Sequence, residues 1–450
     1  MKRTTRDKRT VLRELGDELI LRRATRGDTE ALAAFNPDVL CWPGSDDSPA
    51  EMAAWTRDLM SGDHPTCKPS DFTVVEDTNT GAIVSAMCLI PQTWSYEGVR
   101  LGVGLPELVG TKPEYRRRGL VRAQFEVIHE WSAGRNHQLQ AIGGIPNFYR
   151  QFDYEMALEL GGGRMGFKPD IPALKKGEKE RYRVRAAGEA DLPFIARTYR
   201  HGMERYLLSC VRTPAVWRYE LSGRRREATL RHELRVIESA GGERVGFLAH
   251  WASLWGGDIG VSAYDLKAGV SWLAVTPSVL RYLAAEGKKD ATRDKKELAS
   301  FALWLGTEHP AYEAVPWRLP RTREPYAFYI RVADVPAFIG RIAPVLERRL
   351  AESVALGYTG ELKLSFYRNG VRLAFQRGRL VEVQRWTPKH PDGGESAGLP
   401  GLTFLHVLFG RRSVEELGRV YPDCSARTEE ATVLLKALFP KKPSLVWALG

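Results

Sequence analysis

The stretch that decides the fold is "LPELVGTKPEYRRRGLVRAQFEVIHEWS", residues 105–132. It reads as an apolar strand, a short polar loop, three arginines, a glycine, and then apolar residues at helical spacing. A helix start exposes backbone N–H groups that lack helix partners, together with the positive end of the dipole. Gly119 lets an oxygen-rich anion approach the backbone, and Arg116, Arg117 and Arg118 add charge-assisted hydrogen bonds. Alone, such residues make either a solvated basic turn or a pyrophosphate cradle. The rest of the chain has to choose.

Outward from this stretch the sequence repeats itself. "LILRRATRGDTEALAAF" (residues 19–35) and "YRVRAAGEADLPFIARTY" (182–199) share one pattern at an offset of 163, with Arg22 over Arg185, Ala24 over Ala187 and Asp28 over Asp191. Each Asp stands where a helix N-cap is wanted. "QAIGGIPNFY" (140–149) lies over "LWLGTEHPAY" (303–312) at the same offset, and "GAIVSAMCLI" (81–90) resembles "GERVGFLAHW" (242–251). Two copies of one α/β fold account for this order. Stretches rich in Pro, Gly and charge at 167–181 and 314–325 read as the breaks between parts, and "KKDATRDKKE" (288–297) reads as a solvated loop.

The last part differs. Residues 336–353 have helical spacing, and "GELKLSFYRNGVRLAFQRGRLVEVQRW" alternates apolar with polar. Asn369-Gly370 is a strong hairpin signal and Arg377-Gly378 a weaker one, so three antiparallel strands are expected after a helix. Further helices are expected around 402–409 and 431–439, which makes an α+β domain.

At 450 residues, 43% hydrophobic and 27% charged, the chain is of ordinary globular composition and has room for about three domains. The net charge of +11 suits anionic partners, and it suits solubility equally well. Cys41, Cys67, Cys88, Cys210 and Cys424 are widely spaced, with no C-x-x-C pair and no H-E-x-x-H, so neither a disulfide framework nor a metal is expected and a cytoplasmic location fits. The basic N-terminus has no apolar core of a secretory signal, no run is long enough for a membrane span, and no zinc-finger or RNP-like motif points to nucleic acid.

The loop Arg116-Arg117-Arg118-Gly119-Leu120-Val121 resembles the acetyl-coenzyme A loop of the GNAT (Gcn5-related N-acetyltransferase) superfamily, Gln/Arg-x-x-Gly-x-Gly/Ala, with Val121 departing from the final small residue. The triple arginine after "VGTKPEY" is more specifically similar to Eis-like acetyltransferases. The resemblance implies two tandem GNAT folds, each a mixed central sheet flanked by helices, followed by a sterol-carrier-protein-like α+β domain. The expected domains are 1–172 (catalytic), 173–318 (degenerate) and 319–450 (sterol-carrier-like). It further implies acetyl-CoA as cosubstrate, a primary-amine acceptor such as an aminoglycoside-like molecule or lysine, and a homo-oligomer.

In "IPNFYRQFDYEMA" (145–157) the resemblance makes Tyr149 the general acid, although Asp153-Tyr154 replaces the usual Gly-Phe. The strand before the loop would hold the thioester through backbone N–H groups around Leu108, Val109 and Thr111. Two groups could keep the amine neutral: Glu107, or the C-terminal carboxylate of Gly450. Transferring the offset of 163 puts Gly119 on Tyr282, so the second copy lacks the cradle although it retains Tyr312. Cys41, Trp42 and Trp55 supply either aromatic walls for the acceptor or core. The competing reading is a non-catalytic GNAT-derived scaffold with a lipid-binding C-terminal domain, against which the retained Arg116–Gly119 run and Tyr149 argue.

Overall fold

The computed structural model describes residues 10–41, 48–388 and 394–450. Its first part runs β1 (Val11–Gly16), β2 (Leu19–Arg23), α1 (Thr29–Leu40), α2 (Pro49–Met60), β3 (Phe72–Asp77), β4 (Ala82–Tyr96), β5 (Val99–Thr111), α3 (Leu120–Gly134), β6 (Leu139–Ile142), β7 (Glu155–Leu160) and β8 (Gly163–Gly166). The second repeats the plan: β9 (Tyr182–Ala186), α4 (Leu192–Met203), β10 (Leu208–Cys210), α5 (Pro214–Arg218), β11 (His232–Ser239), β12 (Arg244–Trp251), β13 (Asp258–Leu266), α6 (Trp272–Asp294), β14 (Ser300–Leu303), α7 (Pro310–Ala314) and β15 (Arg321–Arg323); β16 (Tyr326–Arg331) follows it. The third contains α8 (Val335–Arg341), α9 (Ala343–Ala351), β17 (Gly360–Ser365), β18 (Gly370–Gln376), β19 (Arg379–Trp386), β20 (Ala397–Gly398), α10 (Phe404–Leu408), α11 (Val414–Val420), β21 (Ser425–Ala426) and α12 (Glu429–Leu438).

The two repeats exchange strands. One sheet has the order β1-β2-β3-β4-β5-β6-β16-β7, with β10 on the far end of β4; the other is β15-β8-β14-β13-β12-β11-β9. β8 therefore leaves the first repeat to pair with β14 and β15, while β16 returns from beyond the second repeat to lie between β6 and β7. The crossing strand must come close: Gly163 has φ +150°, and a Cβ there would overlap the Leu303 carbonyl oxygen. The third part packs on the first sheet, where the buried Tyr96 donates to the Leu408 carbonyl at 2.8 Å and meets Phe338 edge-on.

The repeated residues have a common purpose. Arg22 binds Asp28 at 2.7 Å and Glu76 at 2.7 Å; Arg185 binds Asp191 at 2.7 Å and Glu238 at 2.7 Å. Asp28 and Asp191 stand at the N-cap positions of α1 and α4, as expected, but neither caps its helix through a side-chain bond. Each carboxylate instead reaches back to the N–H three residues earlier (Thr25, Gly188) and receives the arginine, which ties strand to helix entry.

Two other expectations need correction, and a third is met. Residues 288–294 are the end of α6, not a loop, because Asp290 is buried there against Arg293. The first C-terminal turn closes through Phe366 N–H to Asn369 C=O with Tyr367 at φ +69°, and Gly370 already belongs to β18. The second, with Arg377 at φ +51° and Gly378 at φ +78°, has the paired left-handed residues of a two-residue hairpin turn.

Candidate active site

The site begins with a fault in a strand. β4 and β5 pair regularly from Tyr96–Val99 to Cys88–Glu107, then resume at Ala86–Gly110, so Leu108 and Val109 oppose a single residue. Leu108 sits at φ +54°. Such a bulge turns backbone N–H groups away from the ladder. On its other side β5 pairs with β6 only at Val103–Leu139 and Gly104–Gln140, so the two parallel strands part where the bulge lies. The end of β5 is fixed from below: Ser85 bonds the Gly110 carbonyl at 2.9 Å, the Thr111 hydroxyl at 2.8 Å and buried Gln124 of α3 at 2.7 Å.

The arginine loop follows directly. Gly119, at φ +77°, turns the chain into α3, and a Cβ there would touch nothing within 4 Å, so conformation rather than space calls for glycine. The first helical bond runs from Ala123 N–H to Gly119 C=O, which leaves the Leu120, Val121 and Arg122 N–H groups without helix partners. The Leu120 side chain is buried and that of Val121 half-buried. The arginines divide their tasks. Arg118 pairs with Asp17 at 2.8 Å and lies over Tyr115, whose hydroxyl binds Asp77 at 2.7 Å. Arg116 Nε donates to the Thr111 carbonyl at 3.3 Å. Exposed Arg117, at φ +62°, makes no side-chain bond among the described residues. The free helix start, the uncommitted Arg117 and the parted strands suit a pyrophosphate on a pantetheine arm.

Tyr149 stands in a short helical turn after β6, in an aromatic cluster with Phe125 of α3, Phe148, Phe152 and Tyr154. Its hydroxyl has no protein hydrogen-bond partner among the described residues. Burial, the charge of Glu107 and nearby Tyr329 all hold it protonated, well above the ordinary tyrosine range. Burial pushes Glu107 up to about 7, and the Leu108 N–H offsets only part of that. Glu107 forms no ion pair among the described residues. The structure thus brings Tyr149 and Glu107 within electrostatic reach of each other.

The exchanged strand supplies residues that sequence reasoning missed. Tyr326 donates to the Gly144 carbonyl at 3.0 Å and Tyr329 to the Ile145 carbonyl at 3.3 Å, so β16 grips the loop that carries Tyr149. Nothing in the sequence marks these tyrosines, because their destination depends on the exchange.

The second repeat has no such opening. Tyr282 is not the counterpart of Gly119: it lies inside α6 and bonds Arg235 at 2.6 Å and His250 at 3.0 Å. The counterpart is Ser271, because the loop shrinks to residues 267–271 while the helix starts earlier. That loop contains no arginine, and the Ser271 hydroxyl already caps α6 by accepting from Ala274 N–H at 3.3 Å. Tyr312 is spent as well, accepting from Leu305 N–H at 3.2 Å and facing the Leu303 carbonyl at 2.9 Å.

Gly450 is buried against Trp55 and Leu230, and its oxygen accepts from Arg224 at 2.6 Å. No hydrogen bond joins it to Tyr149 or Glu107. Trp55 is buried and Cys41 half-buried, while Trp42 lies outside the described residues. Among the described residues no group of three or more His, Cys, Asp or Glu could hold a metal ion, and no helix is long and apolar enough to cross a membrane.

Residues 21–157 match the acetyltransferase (GNAT) domain family. No curated protein matches the chain. Solved structures match it over nearly its full length at low identity. A probable N-acyltransferase from Enterococcus faecalis is 13% identical, with 96% of this chain and 100% of that one covered at a TM-score of 0.63. A GCN5-related N-acetyltransferase from Anabaena variabilis is 14% identical, with 95% and 98% covered at 0.62. Eis1 from Mycobacterium abscessus is 14% identical, with 96% and 99% covered at 0.57. The fold extends through all three parts, and residues 21–157 carry the acetyltransferase (GNAT) domain.

Proposed function

We propose that the protein transfers an acetyl group from acetyl-CoA to a primary amine by direct attack within a ternary complex. The observation that carries the reading is the pair Tyr149–Glu107: an uncommitted hydroxyl and a carboxyl near neutrality, beside a parted strand pair and a free helix start. Acetyl-CoA supplies the activated acyl group. Arg116, Arg117 and the N–H groups from Gly119 to Val121 bind its pyrophosphate, and Arg118 holds the loop in place through Asp17. The N–H groups around Leu108, Val109 and Thr111 polarise the acyl carbonyl.

Glu107 takes the proton from the attacking nitrogen, directly or through one water, and its value near 7 suits a base at neutral pH. Tyr149 gives its proton to the departing sulfur. The desolvation that strengthens the tyrosine's hold on its proton also raises the proton affinity of the thiolate, so the transfer stays feasible. The C-terminal carboxylate of Gly450 competes with Glu107 for the base role only if it leaves Arg224. The acceptor class is an amine of a cationic small molecule, aminoglycoside-like, or a lysine side chain, and the assembly is a homo-oligomer.

Isothermal titration of acetyl-CoA tests the coenzyme site. The wild type binds with micromolar affinity and an Arg116→Ala/Arg117→Ala variant does not. Absence of binding by the wild type overturns the reading. An amine screen for free thiol, with Tyr149→Phe as control, then identifies the acceptor.

A further inference from the structure

A second cavity, of about 870 Å3, opens where the three parts of the chain meet. The β4–β5 hairpin lines it with Glu97 and Arg100, α4 with Arg200 and Glu204, and the chain after β10 with Arg212. The third part adds Arg348, Arg349, Glu352 and Lys442, so six cations face three carboxylates. One carboxylate is already consumed: Glu97 receives Arg348 at 2.7 Å, Arg349 at 3.1 Å and Lys442 at 2.8 Å. A single negative charge thus holds three positive ones in a half-enclosed space. Arg100 and Arg200, at the rim, form no ion pair among the described residues.

The deepest cation is also underused. The Arg212 side chain is 2% exposed and lies 3.3 Å from Glu220, a carboxylate it shares with Arg224. One of its Nη atoms donates to the Trp447 carbonyl at 2.8 Å, the other faces Glu220, and the guanidinium lies 3.5 Å over the Trp447 ring, yet its Nε finds no hydrogen-bond acceptor. Buried guanidinium N–H groups left unmatched are costly, and such groups generally have a partner. Tyr199, Met203, Tyr206 and Cys210 give the same cavity an apolar floor.

We propose that this junction binds a small polyanion, a phosphate ester or polycarboxylate with at least two negative charges. Its charged head is held by Arg100 and Arg200, the arginines of the cavity that form no ion pair among the described residues, and any apolar body rests on Tyr199 and Met203. Arginine forks match phosphate and carboxylate oxygens alike. The inference is independent of the acyl-transfer reading, since none of these residues belongs to the Tyr149 site.

The test is calorimetric titration, at fixed ionic strength, of inorganic pyrophosphate and separately of citrate. Each is titrated into the full chain, its Arg100→Ala/Arg200→Ala variant and the Arg116→Ala/Arg117→Ala variant. The expected result is saturable binding of one of the two anions at one junction site per chain, counted apart from any pyrophosphate held by the coenzyme loop, whose site the Arg116→Ala/Arg117→Ala variant removes. That binding is kept within twofold by the coenzyme-loop variant and weakened at least tenfold by the junction variant. Which anion binds tells phosphate from carboxylate recognition. Absence of saturable binding, an unchanged junction variant, or loss in the coenzyme-loop variant each overturns the proposal. Both junction substitutions are at exposed positions, so folding is not at stake.

Discussion

The ring of Tyr329 stands edge-on to the ring of Tyr149, centroids 5.4 Å apart, although the second repeat lies between them in the chain. With the bonds of Tyr329 and Tyr326 to the loop before Tyr149, this makes β16 the support of the proposed acid. Tyr329→Phe and Tyr326→Phe keep the rings and release the loop. Each is expected to lower kcat about tenfold, as small misplacements of an acid do, with KM for acetyl-CoA unchanged. Steady-state kinetics with any amine that turns over checks this. An equal change in KM, or no change in kcat, removes the positioning role.

Tyr149 and Tyr312 occupy matching places with opposite duties. Tyr149→Phe is expected to reduce kcat by roughly 10²–10⁴ and leave stability nearly untouched, because its hydroxyl bonds no protein group. Tyr312→Phe is expected to leave kcat intact and cost about 1–3 kcal/mol, since it orphans buried backbone groups. Kinetics and urea unfolding on the same pair of variants separate the two.

Glu107 predicts a pH profile. The carboxylate is the active form, so kcat/KM rises with pH through about 7 and levels off above it. Glu107→Gln abolishes that limb. Stability runs the other way: the folded pKa lies above the unfolded value of about 4.3, so the folded chain holds the proton between them and loses stability as pH rises across that window. Relative to the wild type, Glu107→Gln gains roughly 3 kcal/mol on going from pH 4 to pH 8. Urea unfolding at the two values is the measurement, and parallel behaviour of both proteins contradicts it.

Gly119→Ala probes the helix start. No atom would clash with the added methyl, so the cost is the left-handed φ alone, about 1 kcal/mol. Thermal unfolding should show a small loss. Titration of acetyl-CoA should show a weakening of several-fold, far less than in Arg116→Ala/Arg117→Ala. A loss as complete as in that double variant would show that the backbone, not the arginines, dominates binding.

The two repeated ion-pair triads differ in burial. Arg22 is 1% exposed and Arg185 31%. Arg22→Ala strands Asp28 and Glu76 in the interior and is expected to cost about 3–5 kcal/mol, whereas Arg185→Ala should cost about 1 kcal/mol or less. Guanidinium unfolding distinguishes them, and equal losses would mean that burial does not set the scale.

The repeats were legible because Arg22, Asp28 and their counterparts serve one geometric need, and the coenzyme loop because Arg-Gly before an apolar helix has a direct physical meaning. Other features left no local signal. The bulge at Leu108 contains no glycine to announce it. The constant offset failed at Tyr282 because a shorter loop and a longer helix nearly balance in total length. Most of all, nothing within β8 or β16 says which sheet will receive it.

The strand exchange also orders events at the ribosome. When β7 emerges, the place beside β6 is vacant, and its occupant is encoded beyond the whole second repeat. At synthesis rates of about 5–20 residues per second, that place waits roughly ten to thirty seconds. For that time the nascent first sheet presents an unpaired gap with open edges, the surface on which wrong strands or chaperones settle. Neither half matures early: β15 completes the second sheet and β16, two residues later in the chain, completes the first.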